Sequence, residues 1–130
     1  MPKLNAFSVV VADMPSSLAF YRAVGLDIPA SADGEPHVGV DLGGGIQVMF
    51  DTVEIVRSMY PDWQPPRESH RMAMAFECDG PADVDATFQR LVELGHEGVK
   101  EPWDAFWGQR YAVVHDPDGN PVDLYAALPA

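Results

Sequence analysis

Side chains able to bind a ligand or to transfer protons occur on alternate positions of two predicted hairpins. In the first hairpin they are His37, Gln47 and Met49, and in the last hairpin they are Asp123 and Tyr125. Alternate residues of a strand lie on one face of its sheet, so each set shares a face. Asp123, close to an apolar wall, is suited to act as a general acid or base. A plain hydrogen-bonded strand residue is the alternative.

An aromatic loop precedes the last hairpin. It contains Trp103, Phe106 and Trp107, whose rings are suited to stack on a flat ligand. A cover over the end of the fold, or a contact between two subunits, explains the same residues. Two arginines are further ligand-binding candidates. Arg71 lies on the same strand face as Ala73, and Arg110 pairs either with an anionic ligand or with a nearby carboxylate.

Both sets of candidates depend on hairpins for their position. Residues 109–125 contain two alternating strands around a turn that begins at Asp116, and residues 37–51 contain two more around a run of three glycines. In the earlier hairpin, the face that carries Gln47 is polar and the other face is apolar. The apolar face predicts a surface that a helix covers.

Each hairpin is preceded by a strand and an amphipathic helix. Asp13 is suited to cap the first helix, which Gly25 ends, and the second helix begins at Gly80 and is ended by Gly95. Apolar residues recur in both helices at the spacing of one buried face. The order of elements therefore occurs twice, which is strong evidence of architecture.

The repeat predicts an α+β fold of two βαβββ modules. A short, weak strand over residues 26–29 is predicted to complete the first module. The modules span about 1–60 and 71–130, and the prolines between them predict an extended linker over about 61–70. A chain of 130 residues is large enough for a single domain, so the whole of 1–130 is expected to form one.

The composition indicates the cellular compartment of the protein and excludes some classes of partner. The single cysteine, Cys78, excludes an internal disulfide framework, and the sequence has neither a signal peptide nor an apolar run of membrane-spanning length. A cytoplasmic location is therefore expected. The net charge of −12 repels nucleic acid and anionic membranes, so neither is an expected partner. The same charge is suited to attract a cationic small molecule, although solubility alone explains it as well.

Three stretches together resemble a known family. They are Val11-Ala12-Asp13, the helical Ser17-Leu18-Ala19-Phe20-Tyr21, and Asp116-Pro117-Asp118-Gly119-Asn120 followed by Val122-Asp123-Leu124. With the doubled βαβββ order, the whole chain resembles the vicinal oxygen chelate superfamily, also called the glyoxalase/bleomycin resistance/dioxygenase family. The resemblance implies two modules whose mixed sheets curve round a shared half-barrel cleft, with helices outside, commonly in a homodimer.

Enzymes of that superfamily usually hold a divalent metal through four strand positions. By the resemblance these are Ala6, Gln47, Ala73 and Asp123 in this chain. A methyl group has no lone pair, and one amide with one carboxylate falls short of the three or four protein ligands of a catalytic site. Of the histidines, only His37 lies on the predicted face of Gln47. The resemblance thus predicts a member that has lost the metal and needs no cofactor.

Two interpretations follow from the resemblance. In the first, the chain is similar to the bleomycin-resistance branch and sequesters a drug or metabolite, cationic or aromatic, as a homodimer without metal. In the second, it is a lyase, isomerase or dioxygenase of the superfamily. That enzyme uses Asp123 and Gln47 without metal, or recruits a metal through His37 and further groups.

Overall fold

The computed structural model describes residues 1–66 and 72–130. The chain forms two compact units, residues 1–66 and residues 67–130. The division falls in the segment that the prolines predict as a linker. None of the described helices is both long enough and apolar enough to cross a bilayer.

The first unit contains a three-stranded sheet and two helices. In chain order its elements are β1 (Ala6–Val11), α1 (Met14–Val24), a 3-10 helix (Ala30–Gly34), β2 (His37–Asp41), β3 (Gln47–Thr52) and α2 (Val53–Met59). The strand order is β1-β3-β2, with β1 parallel and β2 antiparallel to β3.

The second unit contains a four-stranded sheet and one helix. Its elements are β4 (Met74–Glu77), α3 (Pro81–Glu93), β5 (Gly98–Ala105), β6 (Gln109–His115) and β7 (Pro121–Ala127). The strand order is β4-β7-β6-β5, with β4 parallel to β7 and the other pairs antiparallel. This is the predicted βαβββ module, and the α+β class with two mixed sheets is confirmed.

The first unit differs from the prediction because residues 26–29 form no strand. The guanidinium of Arg22 donates to the backbone oxygens of Ile28 and Pro29, at 2.8 Å in each case, and pairs with Asp33 at 2.8 Å. These carbonyls are bound to a helix side chain instead of to a neighbouring strand. The first module is therefore βαββ, and β2 is an edge strand of its sheet.

The core of the first unit lies between α1 and one face of its sheet. Asp13 caps the helix by accepting from the Ser16 amide at 3.1 Å, and Gly25, at a φ of +128°, ends it. The rings of Tyr21 and Phe50 are fully buried with centroids 5.0 Å apart. The apolar side of the first hairpin faces this core as predicted.

The core of the second unit lies between α3 and its sheet. Val84 and Leu91 of the helix are fully buried, as are Val114 and Leu124 of the strands. Of the four residues predicted for the buried helix face, Val84, Phe88 and Leu91 are buried, whereas Val92 is 40% exposed. At one end of this core, β5 approaches α3 so closely that a Cβ added to Gly98 would lie 2.7 Å from Phe88.

The two hairpin turns close by different means. Gly43, Gly44 and Gly45 all have positive φ, which few other residues adopt without strain. In the second hairpin, the buried carboxylate of Asp116 accepts from the amides of Asp118 and Asn120, at 2.9 and 2.8 Å. It also accepts from the Asn120 side chain at 2.8 Å.

The first strand of the second unit is shorter than predicted. The sequence predicts a strand from residue 71 to 78, but β4 begins at Met74. Met72 and Ala73 precede it, and Met72 is 72% exposed. In β4, the residue that pairs with Asp123 is Ala75.

Candidate functional site

Each sheet has one face opposite its helix, and these two faces carry the candidate residues. In the first unit, the face opposite α1 includes Ala6 and Ser8 of β1, His37 and Gly39 of β2, and Gln47, Met49 and Asp51 of β3. In the second unit, the face opposite α3 includes Trp103 of β5, Tyr111 and Val113 of β6, and Asp123 and Tyr125 of β7. Strand alternation predicted the shared face of His37, Gln47 and Met49 and that of Asp123 and Tyr125. Trp103 was predicted to lie in a loop, but it lies in strand β5, which extends to Ala105.

A polar cluster of Ser8, His37 and Asp51 spans the three strands of the first sheet. His37 lies directly opposite Asp51 on the neighbouring strand, and its Nδ1 contacts one carboxylate oxygen. The Ser8 hydroxyl donates to the other oxygen at 3.2 Å. The Asp51 side chain is 10% exposed, whereas that of His37 is 51% exposed. A nearly buried carboxylate thus holds an imidazole that reaches solvent.

Gln47 lies beside that cluster on the same face. A Cβ added to Gly39 would lie 2.9 Å from the Oε1 of Gln47, so the amide occupies the space that a side chain there would fill. Gln47 is exposed and Met49 is half-buried. The structure therefore brings together all three residues predicted for this face, His37 included.

In the second sheet, Asp123 is bound to a tyrosine. The Tyr111 hydroxyl donates to Asp123 Oδ2 at 2.5 Å from the neighbouring strand. Burial and, after it, this bond to a carboxylate raise the pKa of Tyr111 to about 12. The phenol therefore stays protonated and serves as a donor at neutral pH.

Tyr111 is also the centre of an aromatic cluster, which we call the aromatic surface. Its ring lies 5.6 Å from Trp103, 5.4 Å from Trp107 and 6.2 Å from Tyr125, measured between centroids. The two tryptophans meet edge to face at 5.9 Å. Trp107 is 49% exposed, so part of the surface is accessible. Four predicted site residues lie in or against this cluster: Trp103, Trp107, Asp123 and Tyr125.

Arg110 is not part of the aromatic surface. It points to the helix side, where it pairs with Asp85 of α3 at 2.9 Å and with Asp104 of β5 at 3.1 Å. These hydrogen bonds to carboxylates raise the pKa of Arg110. Arg110 was predicted to pair with either an anionic ligand or a nearby carboxylate, and in the structure it pairs with two carboxylates. Arg71, the other predicted arginine, lies outside the described residues.

The residues that the resemblance assigns to the four metal positions do not supply the ligands of a divalent ion. Ala6 and Ala73 have methyl side chains, and Ala73 precedes β4. Gln47 lies over Gly39, and Asp123 is bound to Tyr111. Within residues 1–66 and 72–130, no group of three or more His, Cys, Asp or Glu side chains is placed to hold a metal.

Three residues of these surfaces were missed as site residues. Ser8 and Tyr111 are on the correct faces by alternation, but their hydrogen bonds join strands distant in sequence. Asp51 is on the predicted face of Gln47, yet its pairing with His37 depends on the register of the hairpin. The three-glycine turn fixes that register and is the signal that could have found the pair.

Comparison with known proteins gives the family of the chain. The family model described as Glyoxalase/Bleomycin resistance protein/Dioxygenase superfamily matches residues 3–124. A solved glyoxalase/bleomycin resistance protein/dioxygenase family enzyme from Burkholderia phytofirmans PsJN superimposes with a TM-score of 0.82 at 21% identity, covering 98% of this chain and 100% of that one. A glyoxalase-related enzyme from Fulvimarina pelagi gives 0.79 at 18% identity over 97% and 88%. At these identities the likeness shows the fold.

A closer match in sequence is short. It is 50% identical over 38 residues to the uncharacterized protein Mb0911c of Mycobacterium bovis. The match covers 29% of this chain and 25% of that protein. The chain therefore spans about a quarter of the length of this relative.

Proposed function

We propose, from the premise that this chain belongs to the Glyoxalase/Bleomycin resistance protein/Dioxygenase superfamily, that it binds a flat cationic small molecule without a metal. The ligand stacks on the aromatic surface of the second unit, next to Asp123. Sequestration of a drug or a metabolite is the activity that such binding serves. The homodimeric state and the cytoplasmic location remain predictions from the sequence.

The single observation that carries the proposal is the combination of Asp123 with the aromatic surface. The carboxylate receives a hydrogen bond from a neutral phenol, so this contact leaves its negative charge uncompensated. Aromatic faces attract cations through the ring quadrupole, most strongly tryptophan. A ligand that is both flat and positively charged therefore gains stacking and charge pairing from one surface.

A cation of the chain already uses this surface. The Nζ atom of Lys100 lies 5.0 Å from the ring centroid of Trp103. This contact supports the expected preference, because a Lys ammonium at that distance has the geometry of a cation–π interaction. Trp107 is more exposed than Trp103, so it is the ring that a ligand reaches.

Independence from metal rests on the donor set. Two of the four family positions are alanine, and neither of the other two side chains is free of a contact within its own unit. Three or four protein ligands are needed to hold a catalytic divalent ion. Asp123 and its neighbours therefore take the ligand directly in this proposal.

Quenching of tryptophan fluorescence by N-methylquinolinium, with 1-methylnaphthalene as its neutral isostere, tests the proposal. We expect saturable quenching by both and tighter binding of the cation. Trp107→Ala should weaken binding about 10-fold, equal to about 1.4 kcal/mol. Asp123→Asn should remove most of the preference for the cation while binding of the neutral probe persists.

Trp63, the third tryptophan, is the matched control. It follows α2 in the first unit, where its backbone oxygen accepts from Arg57. Trp63→Phe should leave both affinities unchanged. Equal losses in the Trp63 and Trp107 variants, or no saturable quenching by either probe, would contradict the proposal. Stoichiometric metal in the purified protein would contradict its metal independence.

A further inference from the structure

The edge strand β2 of the first unit has an open side. Within the described part of the chain, β3 is the only strand that pairs with it. Just outside the two ends of β2, the carbonyl of residue 36 accepts from the Thr52 amide at 3.0 Å, and the amide of residue 42 donates to Ile46 at 2.9 Å. Backbone groups alternate in direction along a strand, so the even residues face β3. The residues whose amides and carbonyls point away from the sheet are therefore His37, Gly39 and Asp41.

The edge strand β5 of the second unit is protected against pairing with a further strand. Its register with β6 shifts on both sides of Lys100, and Pro102 lies within it. Bulges, prolines and lysines at an edge keep sheets from joining. β2 has none of these, because its five residues pair with β3 without a shift and include neither proline nor lysine. The backbone of β2 therefore stays regular enough to pair with another strand.

The sequence of β2 and its flanks is complementary to itself when a second copy runs antiparallel. Residues 36–42 read Pro-His-Val-Gly-Val-Asp-Leu, with Gly39 at the centre. Centring the pairing on this glycine brings together side chains of matching character: His37 with Asp41, Val38 with Val40, and Pro36 with Leu42. Residues directly opposite each other lie on the same face of a sheet. The imidazole therefore meets the carboxylate on one face, and apolar side chains meet on the other.

The ends and the centre of this stretch fit the pairing. Leu42 is 46% exposed, and Pro36 of the second copy covers it. Proline lacks an amide proton, but residue 36 faces β3 and needs no donor towards the second copy. Gly39 has no side chain at the point where the two backbones cross the axis, and a glycine in a strand is typical of such a close approach.

His37 and Asp41 give the register its charge complementarity. His37 contacts Asp51 of its own chain through Nδ1, so the second ring nitrogen is directed to other partners. Asp41 accepts from the Gly43 amide at 2.8 Å with one oxygen, which leaves the other oxygen as an acceptor. Both residues are exposed. The net charge of −12 repels a second copy in general, so an imidazole opposite a carboxylate favours this register over others.

From these features we infer that two copies of the chain associate through their β2 strands, antiparallel about a two-fold axis at Gly39. The outward amides and carbonyls of each copy pair with those of the other, and the result is one sheet with three strands from each copy. Both copies of α1 lie on the same side of that sheet. Because the same edge is used by both copies, the association closes at the dimer.

Cross-linking at the axis tests the register. In a Cys78→Ser background, Gly39→Cys places two thiols on a hydrogen-bonded pair whose Cα atoms are about 5.5 Å apart, a distance that a disulfide spans. We expect mild oxidation to convert most of this variant to a covalent dimer. Gln47→Cys in the same background is the matched control. Its two copies lie at least three strand spacings apart, about 14 Å, so it should remain a single chain on denaturing gels.

Gly39→Pro tests the edge without a cross-link. The amide of residue 39 points away from β3, so a proline there removes no hydrogen bond of the first sheet but blocks the second copy. Sedimentation velocity should show the unmodified protein at twice the mass of one chain, and the proline variant should dissociate with a Kd raised about 10-fold or more. Gly39→Ala keeps the amide and should remain a dimer.

Each outcome decides the inference. An unmodified protein that stays a single chain at every accessible concentration would overturn it, as would a dimer that Gly39→Pro leaves intact. Equal cross-linking of the Gly39 and Gln47 variants would overturn the register. If the proline variant does not fold, cross-linking still decides, because a Cβ at residue 39 meets only the end of the Gln47 side chain. Binding of N-methylquinolinium takes place in the second unit and is tested separately.

Discussion

The two sheets share a plan on one face and differ on the other. In both, the first strand runs parallel to the last, the hairpin partner is antiparallel, and apolar residues pack against a helix. On the opposite faces, the first sheet has a glycine, a glutamine and a histidine–aspartate pair, whereas the second has four aromatic rings centred on Tyr111, which donates to Asp123. The comparison teaches that packing of the helix side fixes the scaffold, while the other side varies independently.

The largest losses of stability should come from substitutions on the sheet faces that pack against the helices. Phe50→Ala in the first sheet should lower the free energy of unfolding by about 3–5 kcal/mol, and Leu124→Ala in the second by about 2–5 kcal/mol. Both residues are fully buried, so each truncation leaves a cavity. Urea denaturation followed by circular dichroism measures the loss. A loss below about 1 kcal/mol for either residue would break the equivalence of the two helix-side faces.

Substitution of two glycines, one in each sheet, should have intermediate effects on stability and tests how tightly each sheet is packed. Gly98→Ala should cost about 1–3 kcal/mol, because the new Cβ would lie 2.7 Å from the buried ring of Phe88 and 3.2 Å from Val92. Gly39→Ala meets only the end of the Gln47 side chain and should stay within about 0.5 kcal/mol of the unmodified protein. Thermal unfolding of both variants tests this. The opposite ranking would mean that the face opposite α1 is packed more tightly than described.

The smallest effect should be a pH dependence that arises in the second sheet. Tyr111 has its pKa raised from 10.0 to about 12 in the folded state. Between these values the unfolded chain ionises first, so stability from this group is present below pH 10 and is lost as the pH rises towards 12. The stability difference between the unmodified protein and Tyr111→Phe should therefore shrink over this range.

Urea titrations across that range, with tyrosinate absorbance as a second measurement, test this expectation. Asp123→Asn should lower the pKa of Tyr111 but leave it above its ordinary value, because burial is the larger cause of the shift. A stability difference that does not change with pH would contradict the assignment.

Local patterns were enough to predict most of the fold. The helices α1 and α3 follow from the capping Asp13 and from apolar spacing, and the hairpins follow from the glycine turn and the turn at Asp116. The prediction of a strand over residues 26–29 was wrong for a reason that strand propensity cannot show. Its carbonyls are bound by Arg22, a side chain of the preceding helix, whose reach depends on the packed structure.

The candidate sites were predictable in part. Alternation placed Gln47, His37 and Asp123 on the correct faces, because a period of two requires no tertiary information. The hydrogen bonds that give these residues their chemistry join different strands, as in Ser8 with Asp51 and Tyr111 with Asp123. Such pairs depend on register across long loops, which the sequence pattern leaves open.

The Asp116 turn has a consequence for the order in which the second unit assembles. Because one carboxylate holds both ends of a five-residue loop, the hairpin of β6 and β7 can close at small entropic cost before the rest of the unit is in place. The parallel pairing of β4 with β7 instead encloses α3, β5 and β6, so its loop costs more entropy to close. We therefore expect the strand that begins this unit in the chain to join its sheet last.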